Sequence, residues 1–255
     1  MKQKLFSVCL VLLLCVTGCK NQIPTNPSVS TPLSSTNVSS TDTPSADPNF
    51  IAEFTATEQK LVPPEQNFSD EFNAELKKLT DAVRGKNLTV IDGYLDSETM
   101  VDFGGNSGKA AFYEHWNLNK SPEKSHLWAE LEKILALGGT YDEQEKTFIA
   151  PYTFSNFPAE LDVFEHHIIT GKDIKMYAEK SLESTVAESL SYNIIKALDG
   201  YGFFDKSDDA FIGIKTLAGT QGYVQKKHIR SPIDYRLSIL YKNGGWKLTY
   251  MVSGD

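Results

Sequence analysis

The chain has 255 residues, with 25 Lys and Arg against 33 Asp and Glu, for a formal net charge of −8. That balance argues against a nucleic-acid binder, which needs a basic face to displace counterions, and a hydrophobic content of 40% feeds a globular core but not a multi-span membrane protein. Its cysteines, Cys9, Cys15 and Cys19, all fall close to the N-terminus, so the folded part has neither a disulfide nor a thiolate metal site.

Lys2 and Lys4 precede a nearly pure apolar run over residues 5–16. This is the charge-then-apolar order of a signal peptide, too short to span a bilayer stably. The run ends Cys15-Val16-Thr17-Gly18-Cys19, which resembles the lipobox of bacterial lipoproteins with Val16 in the place of the usual Leu. The resemblance implies a signal peptide over residues 1–18, removal before Cys19, and a diacylglycerol thioether on Cys19. Acylation with palmitate-type chains, at roughly 0.8 kcal/mol per buried CH₂, would hold the protein to a lipid bilayer of the cell envelope, facing outside the cytoplasm. Residues 19–65 read as a Ser/Thr/Pro-rich tether, disordered because it has too little apolar surface to offset backbone entropy. A flexible chain of that length spans roughly 35–40 Å.

The first folded unit is expected over residues 66–170. Phe68, Phe72, Leu76, Leu79 and Val83 share one face of a helix, with Ser69 at its start and Gly85 at its stop. Leu88 to Tyr94 suggests a second short helix. Met100-Val101-Asp102-Phe103 alternates like a strand, and the glycines of Gly104-Gly105-Asn106-Ser107-Gly108 read as a turn rather than an anion cradle. Phe112 and Trp116 mark another helix, and Leu127, Leu131, Ile134 and Leu135 mark one more, ended by Gly138-Gly139. Strands are expected at residues 148–150 and 163–169. Helices followed by strands give an α+β class. The run from Phe72 to Phe103 resembles the start of a cone-shaped NTF2-like domain, a family of small-ligand binders and dimerisers with a minority of enzymes.

The second unit is expected over residues 171–231, with short β segments at 186–190, 193–198, 211–215 and 222–225. Ile174-Lys175-Met176-Tyr177 stands where bacterial SH3-like domains have Leu-Asn-Val-Arg, and Phe211-Ile212-Gly213-Ile214 where they have a Trp-led strand. Gly219-Thr220-Gln221-Gly222-Tyr223-Val224 matches their Gly-x-x-Gly-Tyr-Val hairpin, and Ile229 their closing apolar residue. The resemblance implies an SH3-like β-barrel that binds peptidoglycan or another envelope peptide, or only packs on its neighbour. Residues 232–255 follow as a C-terminal β-hairpin. Tyr235, Leu237, Ile239 and Tyr241 alternate, as do Trp246, Leu248, Tyr250 and Val252, around Asn243-Gly244. One face of this hairpin needs a core, and the first unit is the expected host.

The chemistry is sparse. His166 and His167 adjoin on an expected strand, point to opposite faces, and do not chelate one metal. The sequence has no HExxH and no Gly-x-Ser-x-Gly motif. Asp205, Asp208 and Asp209 lack the calcium-loop spacing. Tyr177, Tyr201, Phe203 and Phe204 are candidate ligand-binding aromatics. The expectation is a non-catalytic envelope lipoprotein without cofactor or metal, binding wall or envelope peptide and no nucleic acid. The alternatives are a small-ligand or hydrolytic NTF2-like pocket, with Asp92, Asp102 and His115 as its acid–base candidates, and an assembly or inhibitor lipoprotein.

Overall fold

The computed structural model describes residues 59–198 and 207–254; Cys19, Tyr201, Phe203, Phe204 and Asp205 lie outside them. Helix α1 (Asp70–Arg84) follows from the apolar spacing and buries Phe72, Leu79, Ala82 and Val83. Asp70 and Glu71 sit in its first turn, where the helix dipole favours them, and the Gly85 amide closes its last. Ser69 occupies the cap position without making a side-chain cap bond. Helix α2 (Leu88–Tyr94) is capped by the Asn87 side chain, which accepts from the Val90 amide. Helices α3 (Gly108–His115) and α4 (Leu127–Leu137) complete the layer. Among the described residues no helix is long and apolar enough to cross a membrane.

Two antiparallel sheets follow, which makes the chain a mixed α+β protein. The first holds β1 (Thr140–Asp142), β2 (Thr147–Ala150), β10 (Arg236–Lys242) and β11 (Gly245–Val252), in that order. Strand β10 pairs directly with β2, Ile239 opposite Phe148. The C-terminal hairpin therefore completes the sheet of the helical part, and every strand of the second sheet is inserted in sequence between β2 and β10. That second sheet has the order β5-β4-β8-β7-β6-β3-β9, from β3 (His166–Ile169), β4 (Ile174–Tyr177), β5 (Val186–Leu190), β6 (Ile194–Ala197), β7 (Phe211–Thr216), β8 (Gln221–Gln225) and β9 (Ile229–Arg230). Among the described residues no pairing joins its outer strands, so the strand ladder does not close. A short helix, α5 (Tyr152–Ser155), leads from the first sheet toward the second.

The main core joins α1–α4 to the first sheet. At its centre Phe72 stacks on Tyr141 at 3.9 Å and lies 5.1 Å from Trp246, with Phe68 and Phe148 around them. Trp246 and Leu248 face this core, as the hairpin reading requires. Tyr250 does not. The register pairs Ile239 with Leu248 but Ser238 with Tyr250, leaving Thr249 as an extra residue. Such a bulge reverses the side-chain alternation beyond it, so Met251 is fully buried with the core while Tyr250 turns to the other face beside Ser238. Met100 causes the irregularity: its amide donates to the Thr249 carbonyl at 2.9 Å, and its carbonyl accepts from the Met251 amide at 3.0 Å. The expected strand at 100–103 reduces to this one bridging residue, because Asp102 to Gly105 turn away from it.

A second core lies on one face of the seven-stranded sheet and contains Met176, Leu190, Ile195, Ile212, Ile214 and Val224. Gly222 permits it. A Cβ there would stand 2.7 Å from both Met176 Cγ and the Tyr177 carbonyl, so the Gly-Tyr-Val motif needs its glycine for the close pairing of β8 with β4. A third cluster, Leu61, Tyr152, Ile168 and Ile194, forms an apolar seam between α5 and the second sheet. The strand at 163–169, expected in the first unit, belongs to the second sheet: β3 pairs with β6 and β9. Lys60 also bridges to Asn193 there. Edge strand β5 carries Glu188 opposite the buried Met176, an inward-pointing charge of the sort that guards exposed edges.

Candidate ligand cleft

An open cleft of roughly 1210 Å³ lies where α4, β3, β9 and the segment leading into β10 meet. Its walls follow from the insertion: β9 ends the second sheet and β10 begins again in the first, so residues 231–235 must cross from one to the other. Two buried arginines fasten that crossing. Arg230 donates from Nη2 to the Tyr235 carbonyl at 2.5 Å, and its Nη1 lies 3.5 Å from Asp234 Oδ2. Arg236 donates to the Ile233 and Gly254 carbonyls at 3.0 and 2.9 Å, and its guanidinium packs on the rings of Phe154 and Phe103. Tyr235 anchors the same segment to the helices. Its hydroxyl lies 3.2 Å from His115 Nε2, and its ring 5.0 Å from that of Trp116.

The cleft mixes charge of both signs in pairs. Glu130 and Lys133 pair along α4 at 3.3 Å, Glu165 and Lys196 at 2.7 Å, and Arg230 with Asp234. Phe164 stands at the rim and is 63% exposed, the most exposed large apolar side chain among the described residues. His167 also lines the cleft and is itself buried. Burial holds its imidazole down at about 4, with His166 acting in the same direction and a hydrogen bond to the Glu165 backbone opposing it. Burial likewise works against the Arg230 charge, which Asp234 and Glu130 support. Neighbouring His166 bonds the Asp162 carbonyl through Nδ1 at 2.9 Å.

Tyr177 sits elsewhere. It ends β4 opposite Tyr223, half-buried and edge-on to Phe211 at 5.9 Å, and it does not line the cleft. The acid–base candidates are also spoken for. Asp92 binds Lys109 at 2.6 Å and the Tyr113 hydroxyl at 2.8 Å. Asp102 is half-buried, and its carboxylate accepts from the Gly104 and Asn106 amides and from Asn106 Nδ2 at 2.6 Å. Those bonds hold its pKa below the usual carboxylate range. They also consume the loop amides that an anion would need, which explains the glycine-rich turn without a ligand. His115 turns to Tyr235, and among the described residues no hydrogen bond joins it to Asp102.

Arg230, Phe164, His167, Lys196 and Tyr235 were missed as site residues. The one available signal was the basic run Lys226-Lys227-His228 and Arg230 beside the closing Ile229. A further depression on the helical surface, about 880 Å³, is lined by Lys109, Tyr113 and Lys120 among others. Among the described residues no group of His, Cys, Asp or Glu is placed to hold a metal ion. Comparison with protein-family models, with curated proteins and with solved structures returns no match to this chain.

Proposed function

We propose that this chain is a bacterial lipoprotein, anchored through acylated Cys19 outside the cytoplasm, that binds wall or envelope peptide without catalysing a reaction on it. The observation that carries the binding half is the cleft: a peptide-sized opening with an exposed aromatic at its rim and ion pairs of both signs on its walls. Peptides with charged groups and apolar side chains complement such a surface, in which an aromatic anchor gives affinity and the paired charges give orientation. The anchoring half rests on the Val16-Thr17-Gly18-Cys19 motif behind a basic and apolar leader.

The finer fold reading belongs with this proposal. Strands β4–β9 are taken as an SH3-like module inserted into an NTF2-like helix-and-sheet body. The Gly222-Tyr223-Val224 hairpin supports the first part. So does the single core that Ile169 of β3 and Leu190 of β5 share although their strands stand far apart in the strand order. The four-stranded sheet packed on helices supports the second. The test is retention: the full chain, immobilised through detergent, should saturably retain peptides from a muralytic digest of cell wall. Passage of the whole digest unretained would overturn the peptide-binding reading.

A further inference from the structure

The floor of the cleft holds an under-compensated cation. The Arg230 side chain is only 8% exposed, and Asp234, the carboxylate that stands within ion-pair distance of it among the described residues, lies at 3.5 Å, well beyond the roughly 2.7–2.9 Å of a charge-assisted hydrogen bond; Glu130 acts on it only from farther off. Among the described residues its Nε–H meets no acceptor. A buried guanidinium in this state gains from any carboxylate that closes the gap, because charge is costly to bury unless paired and hydrogen-bonded. The partner is built to yield. Asp234 is 45% exposed, and its Oδ1 accepts from the Tyr235 amide at 2.7 Å, so one of its oxygens is committed to the local turn. Phe164 stands on the same cleft, exposed and without a core of its own.

Resting on the cleft as the binding site, we infer that it reads a free carboxylate of a peptide: the ligand carboxylate takes the Arg230 guanidinium in place of Asp234, and an apolar ligand side chain covers Phe164. The ligand class is a short peptide with a free C-terminal carboxylate next to an aliphatic residue. Asp234 then serves as an internal stand-in that partly balances the Arg230 charge while the cleft is empty.

The sign of one substitution separates this from a purely structural role. Asp234→Asn keeps the acceptor for the Tyr235 amide and removes only the competing charge. The probes are N-acetyl-Leu-Ala-Ala and its C-terminal amide, titrated calorimetrically into the full chain in detergent. The acid should bind, and the amide should bind at least about tenfold more weakly, the worth of one charge-assisted hydrogen bond. Asp234→Asn should tighten the acid several-fold and leave the amide unchanged, and Phe164→Ala should weaken both. Equal affinity for acid and amide, or an Asp234→Asn variant that binds the acid no better than the parent, overturns the inference while leaving peptide binding standing. Binding of neither probe, by a chain that does retain wall digest, overturns the inference alone. Binding of neither probe and retention of no digest overturns both readings.

Discussion

Truncating Trp246 to Ala removes the residue on which the interleaved architecture most depends. Trp246 lies in β11, at the C-terminal end of the chain, yet it meets Phe72 of α1 at 5.1 Å, Tyr141 of β1 at 6.0 Å and Tyr241 of β10 at 5.5 Å. It is 9% exposed. A buried aromatic of this size removes about 150–250 Å² from water, which at roughly 25 cal/mol per Å² is about 4–6 kcal/mol. Alanine keeps part of that, and the surroundings relax, so the expected loss is about 3–5 kcal/mol. For a folded body of this size that is a fall in Tm of roughly 6–20 °C. Calorimetry with near-UV circular dichroism is the assay. A single transition should move as one, because β10 pairs with β2 and the Leu61–Tyr152–Ile168–Ile194 cluster joins the second sheet to the first. Tyr250→Ala, on the reverse face beyond the Thr249 bulge, should leave the near-UV signal of the Phe72–Trp246 cluster intact. A fragment of residues 59–165, deprived of β10 and β11, should be molten. A loss below about 1 kcal/mol, or cooperative folding of that fragment, would refute the reasoning.

Three further outcomes follow from the same contacts. Gly222→Ala forces β4 away from β8 and should cost about 1–3 kcal/mol, read as a lower urea midpoint; a neutral substitution contradicts the close approach of Met176 and Tyr177. His167 carries a pH dependence: its imidazole falls from an ordinary 6.5 to about 4 in the folded chain, so between those values the unfolded chain binds a proton that the native chain refuses. Its contribution is whole above pH 6.5, declines as the pH falls, and amounts to a loss of roughly 3 kcal/mol below pH 4. His167→Phe should flatten the fall of the urea midpoint across that window, and an unchanged slope would sink the idea. Cys19→Ala should abolish incorporation of labelled palmitate and release the protein from the detergent phase; continued partitioning like the parent would remove the anchor from the account.

What the sequence made legible was local. The spacing of Phe68, Phe72, Leu76, Leu79 and Val83 places α1, and Val186–Leu190 is a strand with the expected bounds. Asn243-Gly244 marks its hairpin because both residues take positive φ, 54° and 80°, which only a turn of that kind requires. What escaped depends on distant partners. The Thr249 bulge exists because Met100 docks there, and no pattern within β11 announces it. Strand β1 is three residues long with only Tyr141 partly buried, and is held by β2 and by the stacking of Tyr141 on Phe72. Val163 to Ile169 reads as a strand in either sheet; its partners β6 and β9 decide. The cleft was hidden for the same reason: Arg230 looks like one more surface cation until residues 231–235 cross above it. Tyr177 was singled out from its place in a family pattern, and its own neighbours, Tyr223 and Phe211, give it a packing role.

The central claim is that the cleft between the two sheets is where this protein meets envelope peptide. Chemical-shift mapping of the full chain in detergent micelles, titrated with peptide from a muralytic digest, tests it most directly. The account predicts saturable shifts at Phe164, Lys196, Arg230 and Tyr235, with β5 and the Lys109–Lys120 depression silent. Shifts confined to Tyr177, Tyr223 and Phe211, or to the Lys109–Lys120 depression, would contradict it.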